Sequence, residues 1–462
     1  MAASETPSLR ESVAITGVPR FLWDGAAFAC YTALDRATSL GDRLADLAGR
    51  AVLVATTSQL TTALALIELD GIARRLVILP PDIEDEQLTS VIGTVGIDAV
   101  IVDDERPNAT LTLPICATCS TSVVPMTKAL PATVRTEWVL MTSGTTGAPK
   151  MVAHDLAGLA VAIRNRSPAD GAPVWGTFYD IRRYGGLQIF LRAVLGGASL
   201  VLSMAGEPVA EHLGRLAKHG VTHLSGTPSQ WRRALMSPAI RGIAPRYVRL
   251  SGEIADQAIL DSLRNAFPDA AIGHAYATTE AGVGFDVNDG IAGFPVDYIG
   301  PIRNGVEMKV LDGSLRIRSR GTAFGYVGGD RALADGDGFV DTGDIIERHE
   351  DRYYFVGRKG GIINIGGLKA HPEEIEAVIN RHPDVQMSLV HSRPNAITGS
   401  IVAADIVLKS EPNGPAARQS EVKDDILKLC REALPRHKVP AIIRFVPALG
   451  VAATGKLLRR PS

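Results

Sequence analysis

Met141-Thr142-Ser143-Gly144-Thr145-Thr146-Gly147-Ala148-Pro149-Lys150 is the run on which the reading of this chain turns. Ahead of it, Glu137-Trp138-Val139-Leu140 has the composition of a short buried strand. Behind it, residues 151–166 read as a helix. A strand, a loop dense in Gly, Ser and Thr, and a helix form a phosphate cradle. Glycine lets the backbone approach an anion, and successive N–H groups and hydroxyls donate to its oxygens. Lys150 adds a positive charge. Pro149 stands where a Walker loop needs glycine before its lysine, so this is a different loop. A plain surface loop is the competing reading, and companions elsewhere in the chain must decide.

Outward from this loop the chain alternates. Residues 51–56 are apolar and β-branched, Gln59–Leu69 has helical apolar spacing, 76–79 is apolar, 84–95 is amphipathic and 98–102 is a short strand. The alternation resumes with a strand at 199–202, a helix at 208–218 and a strand at 221–225. On that helix Val209, Leu213 and Leu216 share a face, and Gly220 marks the stop. Strands Tyr247–Ser251 and 271–276 flank a helix at 255–267. Short strands alternating with helices predict parallel sheets covered on both faces.

Past Gly300 the pattern changes. Val306–Leu311 and Ser314–Ser319 flank Asp312-Gly313, a hairpin signal, and 339–348 and 353–356 continue as short strands. A third regime starts near Arg358. A helix at 372–381 opens on Pro372, with Glu373, Glu374 and Glu376 at its positive end. Strands at 385–391 and 400–408, a helix at 419–433 and a strand at 442–447 complete a compact α+β unit. The expectation is an α/β protein. Residues 1–357 form a large N-terminal domain of stacked, doubly covered sheets plus a small distorted β-barrel. Residues 358–462 form a small mobile α+β domain, hinged at 358–361 where glycines cluster.

Composition narrows the class. A chain of 462 residues exceeds one ordinary core, and 46% hydrophobic residues suffice for several. The formal charge of −2 gives no field favouring nucleic acid or an anionic membrane. No apolar run reaches ~18 residues, so no membrane span is expected. Residues 1–12 are polar and do not read as a signal peptide. Cys116-Ala117-Thr118-Cys119 has CxxC spacing without a second pair for zinc, and reads as a loop with two free thiols. Sparse cysteine suits a reducing cytoplasm.

Four further motifs accompany the first. Tyr276-Ala277-Thr278-Thr279-Glu280 and Asp341-Thr342-Gly343-Asp344 each follow a strand. Gly357-Arg358-Lys359 leads into Asn364-Ile365-Gly366-Gly367-Leu368-Lys369, and Thr454-Gly455-Lys456 lies near the C-terminus. In this order and spacing the chain resembles, over nearly its whole length, the adenylate-forming superfamily of acyl-CoA synthetases, peptide-synthetase adenylation domains and firefly luciferase.

The resemblance implies a set of roles. Thr142, Ser143, Gly144, Thr145, Thr146, Gly147 and Lys150 would donate to ATP phosphates. Ser251, Gly252 and Glu253 would border adenine, and Tyr276, with Ala277 and Thr278, would give it an aromatic platform. Thr279 matches the residue holding the α-phosphate. Glu280 matches a Mg²⁺ ligand, a hard cation preferring oxygen. Asp344 and Arg358 match ribose contacts. Lys456 would offset charge as the carboxylate attacks phosphorus. Gly360 falls where relatives usually carry Asp or Lys, a looser pivot. Gly366 and Gly367 match a loop lining a pantetheine tunnel. Competing structural readings stand beside these: Tyr276 as a core aromatic, Asp344 as a turn residue next to Gly343, Lys456 as part of a solvated basic tail.

The acid pocket, carried over by position, includes Tyr179, Arg183, Tyr184, Gly226, Ser251, Gly252 and Ala275. Arg183 stands where relatives place a gating histidine, so either Asp180 pairs with Arg182 or Arg183, or the guanidinium meets an anion. Little chain precedes Ala51, which suggests a trimmed first subdomain. The function implied is ATP-dependent activation of a small carboxylic acid with release of pyrophosphate. Transfer to a thiol follows, with CoA as acceptor. Loading of a phosphopantetheinyl carrier protein, and a nucleotide-binding regulator with altered catalysis, are the alternatives.

Overall fold

A computed structural model describes residues 7–14, 18–103, 113–128, 130–142, 149–163, 172–329, 332–395, 398–409, 416–452 and 456–458. Two large sheets dominate. In the first, Ala51–Val54 lies between Arg75–Ile78 and Ala99–Val102, all parallel, with Ile115–Thr118 beyond. Ala51–Val54 is buried along its whole length, which is why it reads as an apolar run without alternation. The helix Gln59–Leu69 is buried at every position and starts on Ser58, whose hydroxyl accepts from the Leu60 N–H.

The second sheet has eight strands, with Val174–Thr177, His223–Gly226, Tyr247–Ser251 and Ala271–Thr278 parallel in succession. Phe21–Asp24 and Ala27–Cys30 extend it beside Ser199–Val201, so the short stretch before Ala51 completes this sheet. The helix Tyr184–Leu195 contributes Leu187, Phe190, Leu191 and Val194 to the core that joins the two sheets.

One expectation is corrected. Residues after the Gly/Ser/Thr loop form the strand Lys150–Asp155, antiparallel to Glu137–Thr142 with Lys150 opposite Thr142. Among the described residues there, the helix is the short Leu156–Ala160. Positions 151–155 are all buried, so the run has neither the period of a helix nor that of a half-exposed strand. The two strands on either side of residues 143–148 are therefore antiparallel neighbours, and among the described residues no long helix starts beside them.

The hairpin Val306–Leu311/Ser314–Ser319 turns at Asp312-Gly313, with φ of +52° and +73° as a tight primed turn requires. It belongs to a five-stranded antiparallel sheet with Val340–His349, Arg352–Arg358 and Phe294–Pro295. The chain then builds a separate core. Helix Pro372–Ile379, strands Val385–Asn395 and Gly399–Leu408, helix Ala416–Ala433 and strand Ile442–Phe445 follow in the expected order.

Candidate active site

The parallel strands of the eight-stranded sheet end side by side, and crevices at strand C-termini are where such sheets bind ligands. Gly226 and Ser251 lie at two of these ends. A Cβ at Gly226 would come within 2.7 Å of the Phe178 ring, so a side chain there would have to displace that ring. Buried Tyr179 donates its hydroxyl to the Ser251 carbonyl at 2.8 Å, and Ala275 sits opposite Ser251 in register. Gly252 holds φ +87°, a backbone state that favours glycine.

The C-terminal tail reaches this rim. Glu253 accepts from Ser229 through its N–H at 2.9 Å and its hydroxyl at 3.0 Å, and from the Leu457 N–H at 3.1 Å. The neighbouring Lys456 brings its Cε to 3.4 Å from where a Gly252 Cβ would stand. Lys456 keeps solvent access, yet desolvation in the cleft, the largest cause, lowers its pKa. Arg358 and Arg183 push the same way, while Glu253 and Asp344 oppose them. Further contacts fix the two cores together. Arg232 and Gln386 exchange backbone-directed hydrogen bonds of 3.3 and 2.7 Å, and Asn380 donates to Asp256 at 3.1 Å.

Asp344 and Arg358 are cross-strand partners, joined by an ion pair of 2.7 Å. The other Asp344 oxygen accepts from the Tyr276 hydroxyl. The Tyr276 ring stacks on Phe355 at 4.7 Å and on Phe285 at 5.6 Å, so its surroundings match the core-aromatic reading as well as a site residue. A register shift between Tyr276 and Ala277 re-aims the strand end. There Thr278 accepts from the Ala281 N–H at 2.9 Å, and Glu280 receives the Tyr326 hydroxyl at 3.5 Å. Lys150 stands 5.9 Å from the Tyr326 ring centroid, and Thr142 closes the strand before the loop. Ser143, Gly144, Thr145, Thr146 and Gly147 lie outside the described residues.

Sequence reasoning did not single out His154. Its Nε2 is 2.8 Å from the Thr279 carbonyl, and its ring lies 5.8 Å from that of Tyr184. Burial drives its pKa down to about 4, so it is neutral and ties the strand after the loop to the Thr279 turn. No sequence signal marks a histidine in a wholly buried strand.

Arg182, not Arg183, pairs with Asp180, at 2.6 Å, and also holds the Thr56 and Thr57 carbonyls. Arg183 pairs with Asp82, 101 residues away, a partner that local reading could not supply. Arg183 precedes Tyr184, the buried first residue of its helix. Gly360 sits in an exposed turn next to Lys359, which bonds Asp341 at 2.8 Å. Gly366 and Gly367, with φ of +59° and +88°, turn the exposed tip of the hairpin Ile363–Ile365/Leu368–Ala370, whose base is buried. Cys116 is exposed on a strand, whereas Cys119 is buried, hydrogen-bonded with Ser39 and the Thr61 carbonyl. Burial pushes the Cys119 thiol up to about 12. Both thiols are free as expected, but Cys116 lies on a strand and not in a loop, and Cys119 is closed off from solvent. No described helix is long and apolar enough to cross a membrane.

Against this geometry, the profile of the AMP-binding enzyme family matches residues 48–327, and that of the AMP-binding enzyme C-terminal domain matches 374–456. The chain is 26% identical over 349 residues to 4-coumarate–CoA ligase 2 of Solanum tuberosum, which covers 69% of this chain and 63% of that one. It therefore spans less than two thirds of that relative's length. A probable non-canonical nonribosomal peptide synthetase of Salinispora arenicola, CymA, is 27% identical over 420 residues, covering 84% of this chain and 5% of that protein. Among solved structures, anthranilate CoA ligase AuaEII in complex with anthranoyl-AMP superposes with a TM-score of 0.80 at 18% identity, covering 99% of this chain and 97% of that one. Amide bond synthetase McbA from Marinactinospora thermotolerans gives 0.76 at 18% identity, covering 97% of both chains. At these identities the two structures speak for the fold.

Proposed function

Because the chain belongs to the AMP-binding enzyme family, we propose that it joins a carboxylic acid to AMP at the expense of ATP, releasing pyrophosphate, and then transfers the acyl group to the thiol of CoA. The observation carrying this reading is the delivery of Lys456 to the rim at Gly252 by the Leu457–Glu253 hydrogen bond. In the first step a carboxylate oxygen attacks the α-phosphorus and the bond to pyrophosphate breaks. The Lys456 ammonium would offset the negative charge that gathers there. Thr279 would donate to the α-phosphate, Lys150 would meet the leaving phosphates, and Asp344 with Arg358 would hold the ribose. Among the described residues the Glu280 carboxylate accepts one long hydrogen bond, from Tyr326, which suits its oxygens to Mg²⁺; the ion would neutralise phosphate charge.

In the second step the thiolate attacks the acyl carbon and AMP leaves. Residues 358–361 would serve as the pivot between a 1–357 domain and a 358–462 lid, and the Gly366–Gly367 turn would swing in to line the thiol path. The likeness to a segment of a peptide synthetase favours a carrier-protein thiol as the second reading. Exposed Cys116 and the scarcity of cysteine accord with a reducing, cytoplasmic setting.

Exchange of labelled pyrophosphate into ATP, measured over a panel of carboxylic acids with CoA added afterwards, tests this. Acid-dependent exchange followed by an acyl-CoA product is expected. Exchange without discharge by CoA would transfer the reading to a carrier protein, and no exchange with any acid would contradict it.

A further inference from the structure

The eight-stranded sheet has two unlike faces. Leu224, Val248, Leu250 and Ile272 pack into one apolar core. On the other face, register places Thr177, Ser225 and Arg249 in a row, with Ser251, Ala275 and Asp286 in the next. The helix Tyr184–Leu195 carries Tyr184, Gln188 and Arg192 four residues apart, along one of its own faces. Arg192 stands close enough to Arg249, Asp286, Tyr247 and Tyr184 to interact with each. The polar side of the sheet therefore meets a polar stripe of the helix, in a layer whose other neighbours are apolar.

The charges in this layer do not balance. Asp286 is engaged by Arg249, whose guanidinium also approaches the Tyr247 hydroxyl at 3.5 Å. Arg192 Nε and Nη2 are both buried without a hydrogen-bond partner, and so is Gln188 Oε1 one turn nearer the rim. Gln188 is fixed by its amide, which donates to the Leu159 carbonyl at 2.9 Å. Among the described residues two guanidiniums thus share one carboxylate. Arg192 is half-buried overall, yet two of its three nitrogens are closed off from water without a partner, a costly arrangement that persists where a ligand completes the site. Burial first, then Arg249, holds the Arg192 guanidinium down to about 10.

The layer lies under the rim. Ser251 is bonded by Tyr179 and adjoins Gly252, where Lys456 arrives. Arg249 is two residues deeper on the same face of the same strand, about 7 Å below. That depth suits a short spacer, not a long alkyl chain. Arg183, the cation that sequence alone put in the pocket, is paired with Asp82.

We propose that Arg192, backed by Arg249, binds a second carboxylate on the acid substrate, so that the enzyme selects compact dicarboxylic acids. This rests on the acyl-adenylate reading above. The test is pyrophosphate exchange with straight-chain dicarboxylic acids and with monocarboxylic acids of equal length, for wild type, Arg192→Met and Arg192→Gln, together with their melting temperatures. Wild type should favour the shorter dicarboxylic acids. Both variants should lose that preference about 10- to 100-fold, the worth of a hydrogen bond to a charged group. Arg192→Met should melt no lower than wild type, because it removes an unpaired charge. A purely structural arginine would instead lower the melting temperature and leave the substrate ratio unchanged. Exchange that favours monocarboxylic acids in wild type, or an unaltered ratio in a folded variant, overturns the proposal while leaving acyl-adenylate formation intact. No exchange with any acid removes the reading on which it rests.

Discussion

Asp344 is already committed on both oxygens, to Tyr276 and to Arg358. In the proposed reading a ribose would compete with these donors, so the two residues should separate on mutation. Asp344→Ala leaves ribose hydroxyls unpaired and should weaken ATP by about 1–3 kcal/mol in a calorimetric titration. Tyr276→Phe keeps the stack on Phe355 and frees the carboxylate, so ATP should bind within about 1 kcal/mol of wild type. Wild-type affinity in Asp344→Ala would assign the carboxylate to the turn alone. His154 makes a second residue-level prediction. Its folded pKa, about 4, lies below its unfolded 6.5, so between these values the unfolded chain binds more protons. Stability should fall as pH drops from 6.5 towards 4, by up to about 3 kcal/mol from this group. His154→Gln should flatten melting temperature against pH in that window. Identical slopes in both proteins would show that His154 titrates freely.

At the scale of elements, the turn at 359–361 strings the two cores together. Gly360 has no positive φ, and nothing lies within 4 Å of a Cβ built there. Proline is therefore expected to fit the orientation observed and to oppose rotation away from it. Gly360→Pro should leave pyrophosphate exchange near wild type and slow thiol transfer by about tenfold or more, a barrier of about 1.4 kcal/mol. Equal slowing of both half-reactions would place the pivot elsewhere. Much at this scale was legible in the sequence. Gln59–Leu69, Tyr247–Ser251 and the hairpin at Asp312-Gly313 form with the bounds that period and turn chemistry predict. Residues 151–155 read as helix in the sequence because burial on both faces erases the period of a strand. The partner of Arg183 comes from a distant loop, so local pattern carries no signal of it.

At the scale of the whole molecule, the C-terminal core is seated on the N-terminal one through Arg232–Gln386, Asn380–Asp256 and Leu457–Glu253. This seating is what brings Lys456 to Gly252, and in the proposed two-step reaction it serves the first step. The account therefore stands most directly on Lys456→Ala, assayed for each half-reaction separately. Acid-dependent pyrophosphate exchange should fall about 10²–10³-fold, the usual effect of removing a group that stabilises transition-state charge. Transfer from a chemically supplied acyl-adenylate to the thiol should stay within a few-fold of wild type. Exchange that survives the mutation, or an equal loss in both steps, would contradict the role given to this lysine and to the orientation that delivers it.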